Sequence, residues 1–133
     1  MPLEVHIVTP EREVWTGPAE MLVARGVEGE VGILAGHAPM LVQLAIGPLR
    51  IHEEGGQLLA AVVDGGFLHI GTHEGVTRAD VLATQAELES EIDVDATRQR
   101  LAELEAHGEL EETELEAVKR EMQKAQARLK LAG

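Results

Sequence analysis

At Ala83 the chain changes character, and that break limits what it can fold into. Before it, short apolar runs are punctuated by Gly and Pro about every 8–12 residues, the rhythm of a sandwich or barrel. After it, glycine almost vanishes and Ala, Leu, Glu, Arg and Lys dominate. A period-two region followed by a period-3.6 region predicts a β unit carrying a helical appendage.

The first region reads as roughly eight to ten short strands. Leu3, Val5 and Ile7 alternate with Glu4 and His6, and Thr9-Pro10 ends the run. Val14–Thr16 is stopped by Gly17-Pro18, and Met21–Ala24 follows. Gly47-Pro48 marks a turn between Met40–Leu44 and the pair Leu49, Ile51. Glu54-Gly55-Gly56 is a hairpin turn, since consecutive glycines supply positive φ. Gly65-Gly66 interrupts between Leu58–Val63 and Phe67–Ile70, and Val76–Ala83 closes the set. The predicted class is a β-sandwich over residues 1–84, a linker over 85–92 and an antiparallel two-helix hairpin over 93–133.

The densest run of special residues is Gly29–Pro39, GEVGILAGHAP. Its glycines permit close backbone approach, and Pro39 biases Ala38 to an extended form. It reads as a shaped loop with a hydrophobic rib. It is either a tight corner or a device that presents Glu30 and His37 to a partner.

In the second region Asp93 is the expected N-cap, its carboxylate facing the free N–H groups of a first turn. Val94, Thr97, Leu101 and Leu104 form one stripe, and Gly108 suits a left-handed C-terminal position. Leu115, Val118, Met122, Ala125, Leu129 and Ala132 form a second stripe, from about Glu111 to Leu131. Acids open this second helix and bases close it, as the macrodipole favours. Arg120, Lys124 and Arg128 make a row away from the apolar seam. That row is a solvated face or a surface for a partner. The seams are thin in large side chains, so the hairpin is expected to dock marginally. Opened into one rod it would reach roughly 55–60 Å at 1.5 Å per residue.

Composition narrows the chemistry. The 133 residues carry a net charge of −13. That argues against nucleic acid and direct contact with anionic lipid. There is no cysteine, hence no disulfide or thiolate metal site, and a reducing compartment is expected. No apolar run reaches the eighteen residues of a membrane span, and the N-terminus lacks the pattern of a signal peptide. Ser90 is the one serine, set among Glu87, Glu89 and Glu91 and far from histidine in sequence. His69 and His73 are four apart, but in β-rich, glycine-punctuated sequence rather than on one helix, so surface histidines are expected rather than a metal pair. Phosphate-cradling glycine motifs are absent. The residues favour a binding or structural protein over an enzyme, with no metal and no cofactor.

Gly29–Pro39 resembles the GE-GI-PGHAP signature of the epsilon subunit of the bacterial F-type ATP synthase, the mitochondrial delta equivalent, with Ala35 where that family usually has proline. Gly65-Gly66-Phe67-Leu68 is similar to its GG-[FI]-[LV] segment, and Val5–Gly17 to its opening strands. The resemblance runs the length of the chain. It implies a β-sandwich followed by a helical hairpin, in a non-catalytic central-stalk subunit of a proton-translocating motor. It implies binding to the gamma subunit through the segment of His37, and to the c-subunit ring through Glu28, Gly29 and Glu30. It implies that the hairpin extends to inhibit ATP hydrolysis, with Arg120, Lys124 and Arg128 facing the alpha and beta catalytic subunits. The membrane is then touched only through the complex, on the cytoplasmic side of the bacterial plasma membrane. Some members bind ATP through I-D-x-x-R-A. Ile92 and Asp93 keep its start, but Ala96 and Thr97 break it, which argues against ATP as a regulatory ligand. Two other classes fit the residues taken alone. One is a free-standing adaptor with a coiled-coil hairpin. The other is a jelly-roll metal protein using His6, His37, His52 or His69.

Overall fold

The structure, a computed structural model, describes residues 2–133. Eight strands come first: β1 (Leu3–Val8), β2 (Glu13–Ala19), β3 (Met21–Gly26), β4 (Gly29–Leu34), β5 (Met40–His52), β6 (Leu58–His73), β7 (Val76–Leu82) and β8 (Ala86–Leu88). Two helices follow, α1 (Val94–Glu105) and α2 (Glu112–Ala132). The strand order is β2-β1-β7-β6-β5-β3-β4, with β8 on β6. Every pairing is antiparallel except β1 with β7.

Two long strands make the sandwich. The second half of β5 and the first half of β6 pair with β3 and β8, and their other halves form the layer containing β7. The ribbon passes from one layer to the other where pairing skips Ala45 and Gly65. Gly65 and Gly66 take φ of +108° and +109° there. Leu3, Ile7, Leu22, Ile33, Leu49, Ile51, Leu68 and Ile70 fill the core with no solvent contact to speak of. No aromatic ring is fully buried, so branched aliphatics supply the packing, as composition required.

Several expected turns are strand interior. β2 runs through Gly17-Pro18, which is tolerated because β2 is a sheet edge, where proline's missing donor is least disruptive. β5 runs through Gly47-Pro48, where the ladder to β3 lapses between Leu44 and Leu49. Gly65-Gly66 bends β6 without ending it. The first six residues of the expected loop, Gly29–Leu34, are edge strand β4, paired to β3 across a turn at Val27-Glu28. Ile33 points into the core while Glu30, Gly32 and Leu34 stay exposed, so alternation outweighed the glycines.

The segment 85–92, expected as a linker, contains β8 and a 3-10 turn at Glu89–Glu91. The Asp93 carboxylate caps α1 by accepting from the Ala96 N–H at 2.9 Å. α1 ends on Ala106 at φ −85°, and Gly108 has no left-handed geometry.

Arg12 ties the β1–β2 loop to the 3-10 turn, donating to both Glu91 carboxylate oxygens at 2.8 and 2.9 Å. This hydrogen bond, then the Leu88 N–H, holds the Glu91 carboxyl below its ordinary value of 4.5. Glu91 therefore stabilises the fold fully above that ordinary value and progressively less as pH falls below it. Arg12→Ala is expected to flatten the acid limb of a plot of Tm against pH. An unaltered limb would assign the acid sensitivity to other carboxylates.

Candidate functional site

Three surfaces are candidates for function: the hairpin contact, an exposed apolar strip and the Glu28–Glu30 corner. α2 packs on α1 on one side and on β5 and β6 on another. A helix with two neighbours buries more than one seam. The apolar seam from Leu115 to Ala132 is buried or half-buried throughout, and Lys124 is buried beside it, at 6% exposure.

The basic row is engaged in this docked form, although the Arg120 side chain stays 56% exposed. Arg120 donates from Nη2 to the Asp64 carbonyl at 2.7 Å, with the Asp64 carboxylate at 4.0 Å. Arg128 donates from Nε to Glu87 at 2.5 Å. Lys124 donates to Glu121 of its own helix at 3.0 Å. Asp64 is the hub beneath α2. It is 6% exposed, and its carboxylate accepts from the Gln85 N–H at 2.9 Å and from the Thr84 hydroxyl. The apolar part of the contact is small. Ala60, Val62, Ile92, Leu104 and Ala125 are the buried residues outside the sandwich core. Two side-chain pairs, Arg120 with Asp64 and Arg128 with Glu87, cross from α2 to the sandwich, and partly exposed pairs of this kind each add little.

Ile92 and Asp93 have structural work. Ile92 is largely buried, and Asp93 caps α1. Ala96 gives only its N–H to that cap, and the Thr97 hydroxyl donates to the Asp93 carbonyl at 2.7 Å.

Glu28 sits in the β3–β4 turn beside Gly29, whose φ is +134°. Glu30 is exposed on β4, opposite Arg25. His37 is half-buried beyond the other end of β4, where Leu34 pairs with Met21. Its loop is pinned by the Gly36 N–H, which donates to the Thr77 hydroxyl of β7 at 2.7 Å. The presumed c-ring and gamma residues are therefore not one cluster.

Sequence reasoning missed the apolar strip. Leu41, Phe67 and Leu82 are 66%, 47% and 49% exposed. Phe67 pairs with Leu82 on one side and Gln43 on the other, two residues along β5 from Leu41. A cleft of about 510 Å³ beside them is walled by Val8 and Pro10. The signal was available, since Leu68 and Ile70 alternate inward and so put Phe67 outward. Among the described residues no three His, Asp or Glu groups converge as metal ligands. His6 instead bonds Glu4 at 2.6 Å and Thr16 at 3.3 Å.

Residues 2–89 match the model of the ATP synthase delta/epsilon chain beta-sandwich domain. An ATP synthase epsilon chain of Frankia casuarinae is 48% identical over 88 residues, 66% of this chain and 99% of that one. One from Thermobifida fusca is 46% identical over 114 residues, 82% of this chain and 80% of that one. Among solved structures, a chain of the Euglena gracilis mitochondrial ATP synthase (OSCP/F1/c-ring) superposes with a TM-score of 0.79 at 26% identity, over 95% of this chain and 78% of that one.

Proposed function

The chain belongs to the ATP synthase delta/epsilon family, whose epsilon chains are non-catalytic subunits of that enzyme, and from this premise we propose that it is a central-stalk rotor subunit regulating ATP hydrolysis through its hairpin. The sandwich binds gamma and rests on the c ring of a proton-translocating motor. The subunit lies at the cytoplasmic face of the bacterial membrane as a peripheral component. No described helix is long and apolar enough to cross a membrane, so attachment through partners is consistent.

The observation that carries the regulatory reading is the engagement of the basic row. Arg120 and Arg128 are held by the sandwich, and Lys124 is buried beneath the same helix. The docked form thus withholds the row that an extended hairpin would offer to acidic segments of the catalytic subunits. Two sets of contacts for one row make a competition, and a marginal interface lets a partner shift it.

The test is ATP hydrolysis by a purified core of alpha, beta and gamma subunits, with the full chain and with a truncation ending at Glu91. The truncation keeps β8 and the Arg12–Glu91 pair. The full chain should bind and inhibit, and the truncation should bind without inhibiting. Failure of both to bind gamma would refute the stalk assignment.

The Leu41–Phe67–Leu82 strip is the surface we assign to gamma, together with the His37 loop. An exposed aromatic between aliphatics is typical of an interface anchor. Phe67→Ala should weaken gamma binding about 30-fold or more, by roughly 2 kcal/mol. Leu58→Ala, 58% exposed at the start of β6, is the control and should change it little. Equal effects from both would remove the strip from the interface. Glu28, Gly29 and Glu30 are assigned to the c ring on the resemblance of their loop.

A further inference from the structure

The strand register places five side chains from five strands in one row, on the outer face that carries the apolar strip. Thr16 of β2 stands opposite His6 of β1, and His6 opposite Asp80 of β7. Asp80 stands opposite His69 of β6, and His69 opposite Leu41 of β5. Residues opposite each other in a ladder share a face. The neighbouring row is Val8, Leu82, Phe67 and Gln43. The strip is thus bordered by two histidines with one carboxylate between them. A partner that covers Leu41 and Phe67 also covers His69, which is exposed and stands between Leu41 and Asp80.

The two histidines are held differently. His6 lies between acids, with Glu4 at 2.6 Å from Nε2 and Glu13 at 3.7 Å from Nδ1, and its side chain is 12% exposed. A charge on that ring is compensated within the chain. His69 makes no hydrogen bond or ion pair with any of the described residues. Its ring leans along β6 over Gly71, with Cε1 3.4 Å from where a Cβ would stand. The groups that face it are few. β7 presents Asp80 and Arg78, and these hold each other, Arg78 Nε donating to Asp80 at 2.9 Å. β5 presents Leu41, which carries no charge, and β6 itself presents His73 four residues on. β8 meets β6 only at Ala61–Val63. α2 brings Arg120 to the cleft beside Phe67, where Asp64 holds it.

We propose that His69 makes the docking of gamma on the strip pH-dependent, tight while the imidazole is neutral and loose once it is protonated. The inference rests on the assignment of the strip to gamma. Histidine is the side chain that gains its charge between about pH 8 and 5. In the free chain water solvates that charge. Under a partner the ring loses the water, and the chain supplies no free carboxylate in exchange, since Asp80 is taken by Arg78. The complex therefore binds fewer protons at this position than its separated parts, and affinity falls as pH falls. His37, in the loop also assigned to gamma, is half-buried already and donates from Nδ1 to the Ala38 carbonyl at 2.7 Å, so covering changes its surroundings less.

The test is the affinity of the full chain for the purified core of alpha, beta and gamma subunits, measured at about pH 8 and about pH 5.5, on either side of the histidine range. The unaltered chain should bind about tenfold less tightly at the lower pH. His69→Gln, neutral throughout, should match it at the higher pH and keep most of that affinity at the lower. His6→Gln should leave the pH dependence as it is. An equal fall for His69→Gln would assign the response to other groups and overturn the proposal. Tighter binding in acid would overturn it too, since gamma would then meet the imidazolium with a carboxylate. Phe67→Ala at the higher pH separates the two readings. Weaker binding there, with a flat pH response in the unaltered chain, would sink the role of His69 and leave the strip in place. No loss from Phe67→Ala would remove the strip, and the role of His69 with it.

Discussion

Gly66→Ala is expected to destabilise the protein by about 3–4 kcal/mol, which for a chain of this size lowers Tm by roughly 10 °C. Two effects add at this position. The backbone sits at φ +109°, a conformation that costs a side chain of order 1–3 kcal/mol. A Cβ there would also stand 2.1 Å from the Leu82 carbonyl oxygen and 2.9 Å from the Ala83 Cα. Both obstacles are backbone, at the last residue of β7 and the one after it, so neither can swing aside, and relief requires β6 to part from that end of β7. Gly65→Ala separates the contributions, because Gly65 has nearly the same φ but its nearest neighbour, the Leu44 oxygen, lies at 3.4 Å. It should cost about 1–3 kcal/mol. Gly32→Ala, with no atom within 4 Å, should stay within about 0.5 kcal/mol. Urea unfolding of the three variants measures the order directly. Equal losses at Gly65 and Gly66 would show that dihedral strain, not the approach of β7, makes the glycine necessary. The bend matters beyond stability. It places Asp64 under α2 and turns Phe67, the residue after Gly66, outward.

Much of this was legible because it is local. Leu3, Val5 and Ile7 alternate in the sequence and are buried in the structure for the same reason. Asp93 stands where a cap was needed and caps. Both helices follow their apolar stripes within a residue or two of the expected ends. What was not legible depends on neighbours distant in sequence. Gly17-Pro18 reads as a stop unless β2 is known to be an edge. Gly47-Pro48 reads as a turn unless the ladder to β3 is known to lapse there. β8 is three residues long and exists only because β6 offers it an edge. The partners that the basic row finds within the chain were the least legible. A helical wheel separates Arg120, Lys124 and Arg128 from the apolar seam, correctly, yet it cannot show that α2 has a second neighbour carrying Asp64 and Glu87. His6, Asp80 and His69 are likewise far apart in the chain and share one row only through the fold. Function came from the signature residues, whose role no period or propensity reveals.

The docked hairpin makes opposite predictions for two partners of one ion pair. Glu87→Lys should strengthen inhibition of ATP hydrolysis, and Arg128→Ala should weaken it. Glu87 belongs to β8 and Arg128 to α2, and their side chains are only 33% and 24% exposed. Losing this charge-assisted hydrogen bond costs the docked form about 2 kcal/mol, and the new lysine adds repulsion. A shift of 2 kcal/mol moves the docking equilibrium about 30-fold towards the extended hairpin. Glu87→Lys leaves Arg120, Lys124 and Arg128 intact, so the extended population gains its full set of cations for the catalytic subunits. Arg128→Ala loosens the same contact but also removes one of those cations, and the loss at the target outweighs the gain in population. Hydrogen exchange on the isolated subunit should show faster exchange along α2 in both variants. Hydrolysis by the purified core should then divide them, with less activity under Glu87→Lys and more under Arg128→Ala than with the unaltered chain. If both variants moved hydrolysis the same way, the row would serve docking alone, and inhibition would rest on another face of the hairpin.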